Sequence, residues 1–145
     1  MGVIVDTSIW VDVERKRLSA AELEAALGGE PVFVTPVTIA ELEYGLARAA
    51  TEAQRERRAA ALALIKARPC LPITDATGEV FGRLAAQLDQ KGRPSRHRAQ
   101  NLWIGSLALQ HGLRLLTQNR SDFEDIPGLT ILSPPPPRVS PSSAD

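Results

Sequence analysis

Five short apolar runs, each long enough for one strand and too short for a helix, alternate along this chain with stretches of helical periodicity. They are Val3–Val5, Val32–Val34, Cys70–Ile73, Leu113–Leu116 and Thr130–Leu132. Strands that alternate with helices build βαβ units, because parallel neighbours can be joined only by a crossover that packs on the sheet. The pattern therefore predicts an α/β domain with a mainly parallel central sheet of about five short strands. Helix starts are marked by Ser19 with Glu22, by Thr51 with Gln54, by Thr35 ahead of Pro36, and by Asp75 as a cap for a helix running towards Gln90. Stops are marked by Gly28-Gly29, Pro69, Gly92 with Pro94, and Gly112.

At 145 residues and 43% hydrophobic composition the chain suits one domain with its own core. That domain is expected over residues 1–132. From Ser133 to Asp145, four successive prolines followed by Arg, Ser and Asp residues predict an extended or disordered tail outside the core. Seventeen basic residues balance 17 acidic ones, so no global charge draws the chain to nucleic acid. Local basic clusters exist all the same, at Lys91, Arg93, Arg96 and Arg98, and at Arg55, Arg57 and Arg58. A single cysteine, Cys70, excludes an intrachain disulfide and every multi-cysteine metal motif; its apolar surroundings predict a small buried hydrophobe. No apolar run approaches membrane-spanning length and no signal peptide is visible, which leads to the expectation of a cytoplasmic protein.

Polar residues recur where strands end. Asp6 follows Val3-Ile4-Val5 directly and opens into Thr7-Ser8-Ile9-Trp10. An acid at the carboxyl end of a buried strand sits where open α/β sheets bind ligands, although Asp is equally at home as a helix N-cap. Glu41, in a helix that begins near Pro36, interrupts apolar positions at Val37, Ala40, Tyr44 and Ala47. A solvated glutamate is the commoner fate, and the corner position favours a functional one. Asn101 precedes Leu102-Trp103-Ile104-Gly105-Ser106 and reads as an N-cap or as an uncharged ligand. Thr117, Asn119 and Asp122 follow the run Leu113–Leu116 and could equally form a capped turn. Each site alone favours the structural explanation; their shared placement at strand and helix ends favours chemistry.

These stretches, Val5-Asp6-Thr7-Ser8-Ile9-Trp10, Ile39-Ala40-Glu41-Leu42-Glu43-Tyr44-Gly45, Leu102 through Gly112 and Leu116 through Phe123, resemble in order and spacing the PIN domain of VapC-type toxins from toxin–antitoxin pairs. The resemblance covers residues 2 to about 132 and implies a PIN-like α/β/α sandwich. It also implies an endoribonuclease that uses Mg²⁺ or Mn²⁺ to cut structured or looped RNA, and a cognate antitoxin that covers the site, within a toxin–antitoxin complex whose toxin is a homodimer. By position the family's acidic quartet falls on Asp6, Glu41, Asn101 and Asp122. The metal is implied at Asp6, Asn101 and Asp122, with support from Thr7, Ser8, Thr117 and Asn119. Asn101 departs from the family's aspartate. Whether inherited or introduced, that change keeps the shape of the side chain and removes its charge, so weakened catalysis is expected.

Two other readings follow from the same letters. A non-cleaving PIN-like module that only binds RNA or an antitoxin is favoured by Asn101. A phosphatase- or receiver-like domain also places Asp after its first strand, but there is no Asp-x-Asp pair here. Dinucleotide and P-loop proteins are disfavoured because no glycine-rich loop follows a strand.

Overall fold

The computed structural model describes residues 2–135, so most of the expected tail, from residue 136 onward, lies outside the described residues. Its elements run in the order β1 (Val3–Val5), α1 (Thr7–Glu14), α2 (Ala20–Leu27), β2 (Val32–Phe33), α3 (Pro36–Ala47), α4 (Glu52–Lys66), α5 (Asp75–Gln90), α6 (Ala99–His111), β3 (Arg114–Leu116), a 3₁₀ turn (Arg120–Asp122) and β4 (Ile131–Leu132). The four strands pair in the order β2-β1-β3-β4, all parallel. β1 sits in register with Val32 on one side and with Arg114 to Leu116 on the other.

A fifth strand was expected at Cys70–Ile73. It is reduced to one bridge, Val34 to Cys70, closed by Val34 N–H to Pro69 O and Leu71 N–H to Val34 O. Pro69 and Pro72 flank the bridge, and a proline has no N–H with which to extend a ladder. Cys70 is exposed there, not buried as its apolar neighbours suggested.

Side-chain alternation divides the core into two layers. Val3 and Val5 point with Leu116 towards Ile9, Trp10, Leu18, Leu23, Leu27 and Ile65. Ile4 and Leu115 point the other way, onto Leu84, Leu88, Leu102, Leu107 and Phe123. A helix layer therefore covers each face of the sheet. Burying one such aliphatic chain completely is worth about 1.5–3 kcal/mol, so shifting the register by one residue would be prohibitive. On the α6 side Ile126 packs where Gly105 has no side chain: a β-carbon there would stand 2.8 Å from Ile126 Cδ1. Gly105 thus makes room on α6 for a neighbouring side chain.

Caps explain the helix boundaries. Ser19 and Glu22 form the expected reciprocal box, and Gly28 and Gly112 end α2 and α6 in the left-handed conformation that favours glycine. Thr35 caps α3 ahead of Pro36, and Thr51 caps α4. For α5 the cap is Thr74, with Asp75 as the first helical residue instead of the cap. α3 is less buried than its apolar letters suggested: Thr38 is its one fully buried residue, and Tyr44 is 66% exposed. No described helix is long and apolar enough to cross a membrane.

Candidate active site at the divergence of the strand connections

Chain direction places the polar residues. β1 leads through α1 and α2 to β2 on one side, while β3 leads to β4 on the other. The loops leaving β1 and β3 therefore diverge and open a crevice at the carboxyl edge, the usual ligand position in a sheet of this kind. Asp6 leaves β1 and Thr117 leaves β3. α3 begins just after β2, so its first turns lie at the same edge. α6 runs antiparallel to β3, which it enters through Gly112, and this brings its first turn there too.

Asp6 occupies the N-cap position of α1 but makes no side-chain cap bond. Its buried carboxylate instead accepts at Oδ2 from Thr117 Oγ1 (2.8 Å) and Ser8 Oγ (3.1 Å). Those two hydroxyls are themselves anchored: Ser8 Oγ accepts from Gln118 N–H at 3.2 Å, and Thr117 Oγ1 from Asn119 N–H at 3.0 Å. Glu41 Oε1 accepts from Thr7 Oγ1 at 2.9 Å, and Thr7 Oγ1 lies 3.0 Å from Thr38 Oγ1, one turn earlier on α3.

Burial pushes the Asp6 carboxyl above the ordinary carboxylate range, against the opposing pull of the Thr117 and Ser8 hydroxyls and the Thr7 N–H; the charge of Asp122 adds to the rise. Glu41 is raised for the same first reason, opposed by Thr7 and reinforced by Asp6. Asp6 thus feels Asp122, and Glu41 feels Asp6, so the three acids form one electrostatic group.

A hollow of about 380 Å³ collects Asp6, Thr7, Ser8, Glu41, Asn101 and Asn119, together with Asp12 and Gln118. Asp122 does not line it. It is exposed at the end of the 3₁₀ turn and lines an adjoining hollow of about 350 Å³, whose wall includes Asn101. Asn101 is therefore common to both spaces. It is the third residue of α6, and Arg98 holds the cap position, so the N-cap explanation of Asn101 does not hold.

Sequence reasoning missed Asp12 and Gln118. Asp12, 6% exposed, stands one helical turn beyond Ser8, a spacing that could have exposed it. Gln118 Nε2 is buried without a hydrogen-bond partner among the described residues, and only its place directly after Thr117 hinted at it.

The donor set suits a hard cation. Carboxylate and amide oxygens converge, no histidine or cysteine lines the hollow, and Mg²⁺ is ordinarily held by one or two carboxylates with water completing its shell. Among the described residues no three His, Cys, Asp or Glu side chains form a cation cage by themselves.

Thr117→Val tests the support beneath Asp6. Losing a hydroxyl bonded to a buried carboxylate should cost about 1.5–3 kcal/mol in denaturant unfolding. It should also push Asp6 further upward, which carboxyl-carbon NMR titration would read. An unmoved Asp6 titration would show that the Thr117 hydroxyl does not hold the Asp6 charge.

The signature of the PIN domain matches residues 3–129. Ribonuclease VapC5 of Mycobacterium tuberculosis is 34% identical over 125 residues, covering 86% of this chain and 87% of that protein. Ribonuclease VapC1 of Rickettsia felis is 30% identical over 135 residues, covering 92% and 96%. Among solved structures, the VapBC-5 toxin–antitoxin system of Mycobacterium tuberculosis superposes with a TM-score of 0.72 at 30% identity, over 96% of this chain and 100% of that one. VapBC2 of Rickettsia felis, solved bound to a promoter DNA fragment, gives 0.77 at 24% identity over 92% and 98%, a likeness of fold. This chain belongs to the PIN-domain family, and the relatives it matches over most of its length are VapC ribonucleases.

Proposed function

We propose that the chain is the toxin of a toxin–antitoxin pair: an endoribonuclease that uses Mg²⁺ or Mn²⁺ to cut structured or looped RNA, weakened by Asn101. The observation that carries this reading is the buried Asp6 carboxylate at the divergence of the strand connections, sharing one hollow with Glu41 and Asn101. Relatives named as ribonucleases support the RNA substrate, and neighbours solved as toxin–antitoxin complexes support a cognate antitoxin. The homodimer remains part of the proposal on family resemblance.

Asp6, Asn101 and Asp122 are the residues that would hold the cation. When bound, it supplies positive charge against the scissile phosphate and acidity to water. The chain's own groups do the rest. Thr7 fixes one oxygen of Glu41, which leaves the carboxylate at the wall of the hollow to orient water and take its proton. Its raised proton affinity makes Glu41 a better base at neutral pH than a solvated glutamate.

Glu41→Gln in a chain carrying Asn101→Asp tests the assignment. Cleavage of a labelled RNA hairpin should fall by about 10²–10⁴-fold, with RNA affinity unchanged and chelation abolishing what remains. Retained cleavage would remove Glu41 from the chemistry. A second reading, a non-cleaving module that binds RNA or an antitoxin, is favoured by the amide at 101 and predicts no cleavage even after that residue is restored.

A further inference from the structure

The local basic cluster ahead of α6 divides in two. Lys91, Arg93 and Arg96 are exposed, whereas Arg98 is turned inward. Its guanidinium grips Asp125 with both terminal nitrogens, Nη1 to Oδ2 at 2.8 Å and Nη2 to Oδ1 at 2.7 Å. Nη2 also donates to the main-chain carbonyl of Asp122 at 3.0 Å. The Arg98 and Asp125 side chains are 21% and 12% exposed, so this fork-to-fork pair is part-buried and its geometry is fixed by two parallel charged hydrogen bonds. Asp125 is accordingly held below the ordinary carboxylate range, first by its hydrogen bonds to Arg98. Arg93 also reaches Asp125, by a single 3.3 Å contact from a side chain 59% exposed.

Position gives the pair its meaning. Arg98 immediately precedes α6 and lies three residues before Asn101, while the bonded carbonyl belongs to Asp122 at the end of its turn. A lone 3₁₀ turn has poor hydrogen-bond geometry and holds its own shape weakly. Its carboxylate must nevertheless meet a ligand shared with residue 101. We infer that Arg98 is a positioning residue: through Asp125 and the Asp122 carbonyl it locks the turn bearing the Asp122 carboxylate against the first turn of α6. The inference rests on the reading of this site as a cation-dependent nuclease. Lysine cannot replace the guanidinium, because a point charge cannot engage both carboxylate oxygens and a third acceptor in one plane.

Two measurements test it. In the chain as it stands, Arg98→Lys should speed hydrogen exchange at the amides of Asp122, Phe123 and Glu124, which bond to Asn119 O and Arg120 O. Amides from Leu102 to Ala108 should keep their protection, which separates a loosened turn from an unfolded domain. With Asn101→Asp also present, Arg98→Lys should weaken Mn²⁺ binding, measured by calorimetry, by about 10–100-fold. It should lower kcat on RNA by a similar factor while KM stays within about two-fold, since the residue acts through orientation. Arg93→Ala should leave both the exchange and the Mn²⁺ affinity unchanged. Unchanged exchange with Lys at 98, an equal effect from Arg93→Ala, or a loosened turn with undiminished Mn²⁺ affinity each overturns the inference. If the Asn101→Asp chain with Arg98 intact binds no Mn²⁺, the nuclease reading has failed and the positioning role fails with it. The exchange data alone then report whether the clamp exists.

Discussion

Asn101→Asp should yield a chain that cuts RNA in Mg²⁺ or Mn²⁺ at least about 100-fold faster than the chain carrying the amide, and that stops on chelation. The substitution alters no shape. It adds one negative charge at the third residue of α6, where Asn101 borders both the Asp6 hollow and the Asp122 hollow. A pair of unit charges about 4 Å apart is worth about 4 kcal/mol at an effective dielectric of 20. Even after desolvation removes part of that, about 3 kcal/mol of extra attraction for a cation remains, which is more than 100-fold. Without a cation the same charge repels Asp6, already raised by burial and by Asp122, so the apo variant should melt below its parent at neutral pH. The helix N-terminus offsets part of that loss by favouring an acid in its first turn. Initial rates on a labelled RNA hairpin, with and without chelator, decide the matter. Equal rates in both chains would take residue 101 out of the chemistry and leave the binding-module reading in possession.

The same residue shows how far letters alone can reach. Asn101 could be matched by position because Leu102, Ile104, Leu107 and Ala108 impose a helical face that anchors its alignment. Its N-cap explanation failed because α6 begins two residues earlier, at Ala99, a boundary that no strong capping residue announces. β1 and β3 were legible because each is apolar and ends abruptly in a polar turn. The fifth strand was misread because hydrophobicity reports burial and says nothing of missing N–H groups at Pro69 and Pro72. Tyr44 misled in the opposite sense: its helical spacing suited a covered face, whereas α3 packs through Ile39 and Leu42 and leaves Tyr44 exposed. Asp12, Gln118 and the inward turn of Arg98 depend on contacts between distant segments, such as Arg98 with Asp125, and no local pattern encodes those. What composition hid most thoroughly was sign. A neutral total concealed three acids within electrostatic reach of one another.

That acidic grouping makes Asp6→Asn the second substitution with a large effect, and its two consequences point in opposite directions. Burial raises Asp6 and Glu41 above their ordinary values, so the folded chain holds protons that the unfolded chain has already released. The stability these groups contribute is therefore fully present below their unfolded values, near pH 4, and is lost as pH rises through the higher folded ones. At neutral pH the ionised Asp6 opposes folding, and Asp6→Asn relieves that opposition while keeping an oxygen that can accept from Thr117 or Ser8. Its Tm should rise by a few degrees at pH 7 and shift less near pH 4. Asp6→Ala should fall instead, because it leaves the Thr117 and Ser8 hydroxyls without their acceptor. Mn²⁺ should raise the Tm of the Asn101→Asp chain, since a cation that binds only the folded state stabilises it, and should raise it much less once Asp6→Asn is added. An Asn variant less stable than its parent at pH 7 would contradict the burial argument. An Asn variant stabilised by Mn²⁺ as strongly as the chain that keeps Asp6 would show that Asp6 is no ligand. The expected pairing, greater stability with a diminished cation response, is the mark of a carboxylate whose burial disfavours folding and prepares a site for positive charge.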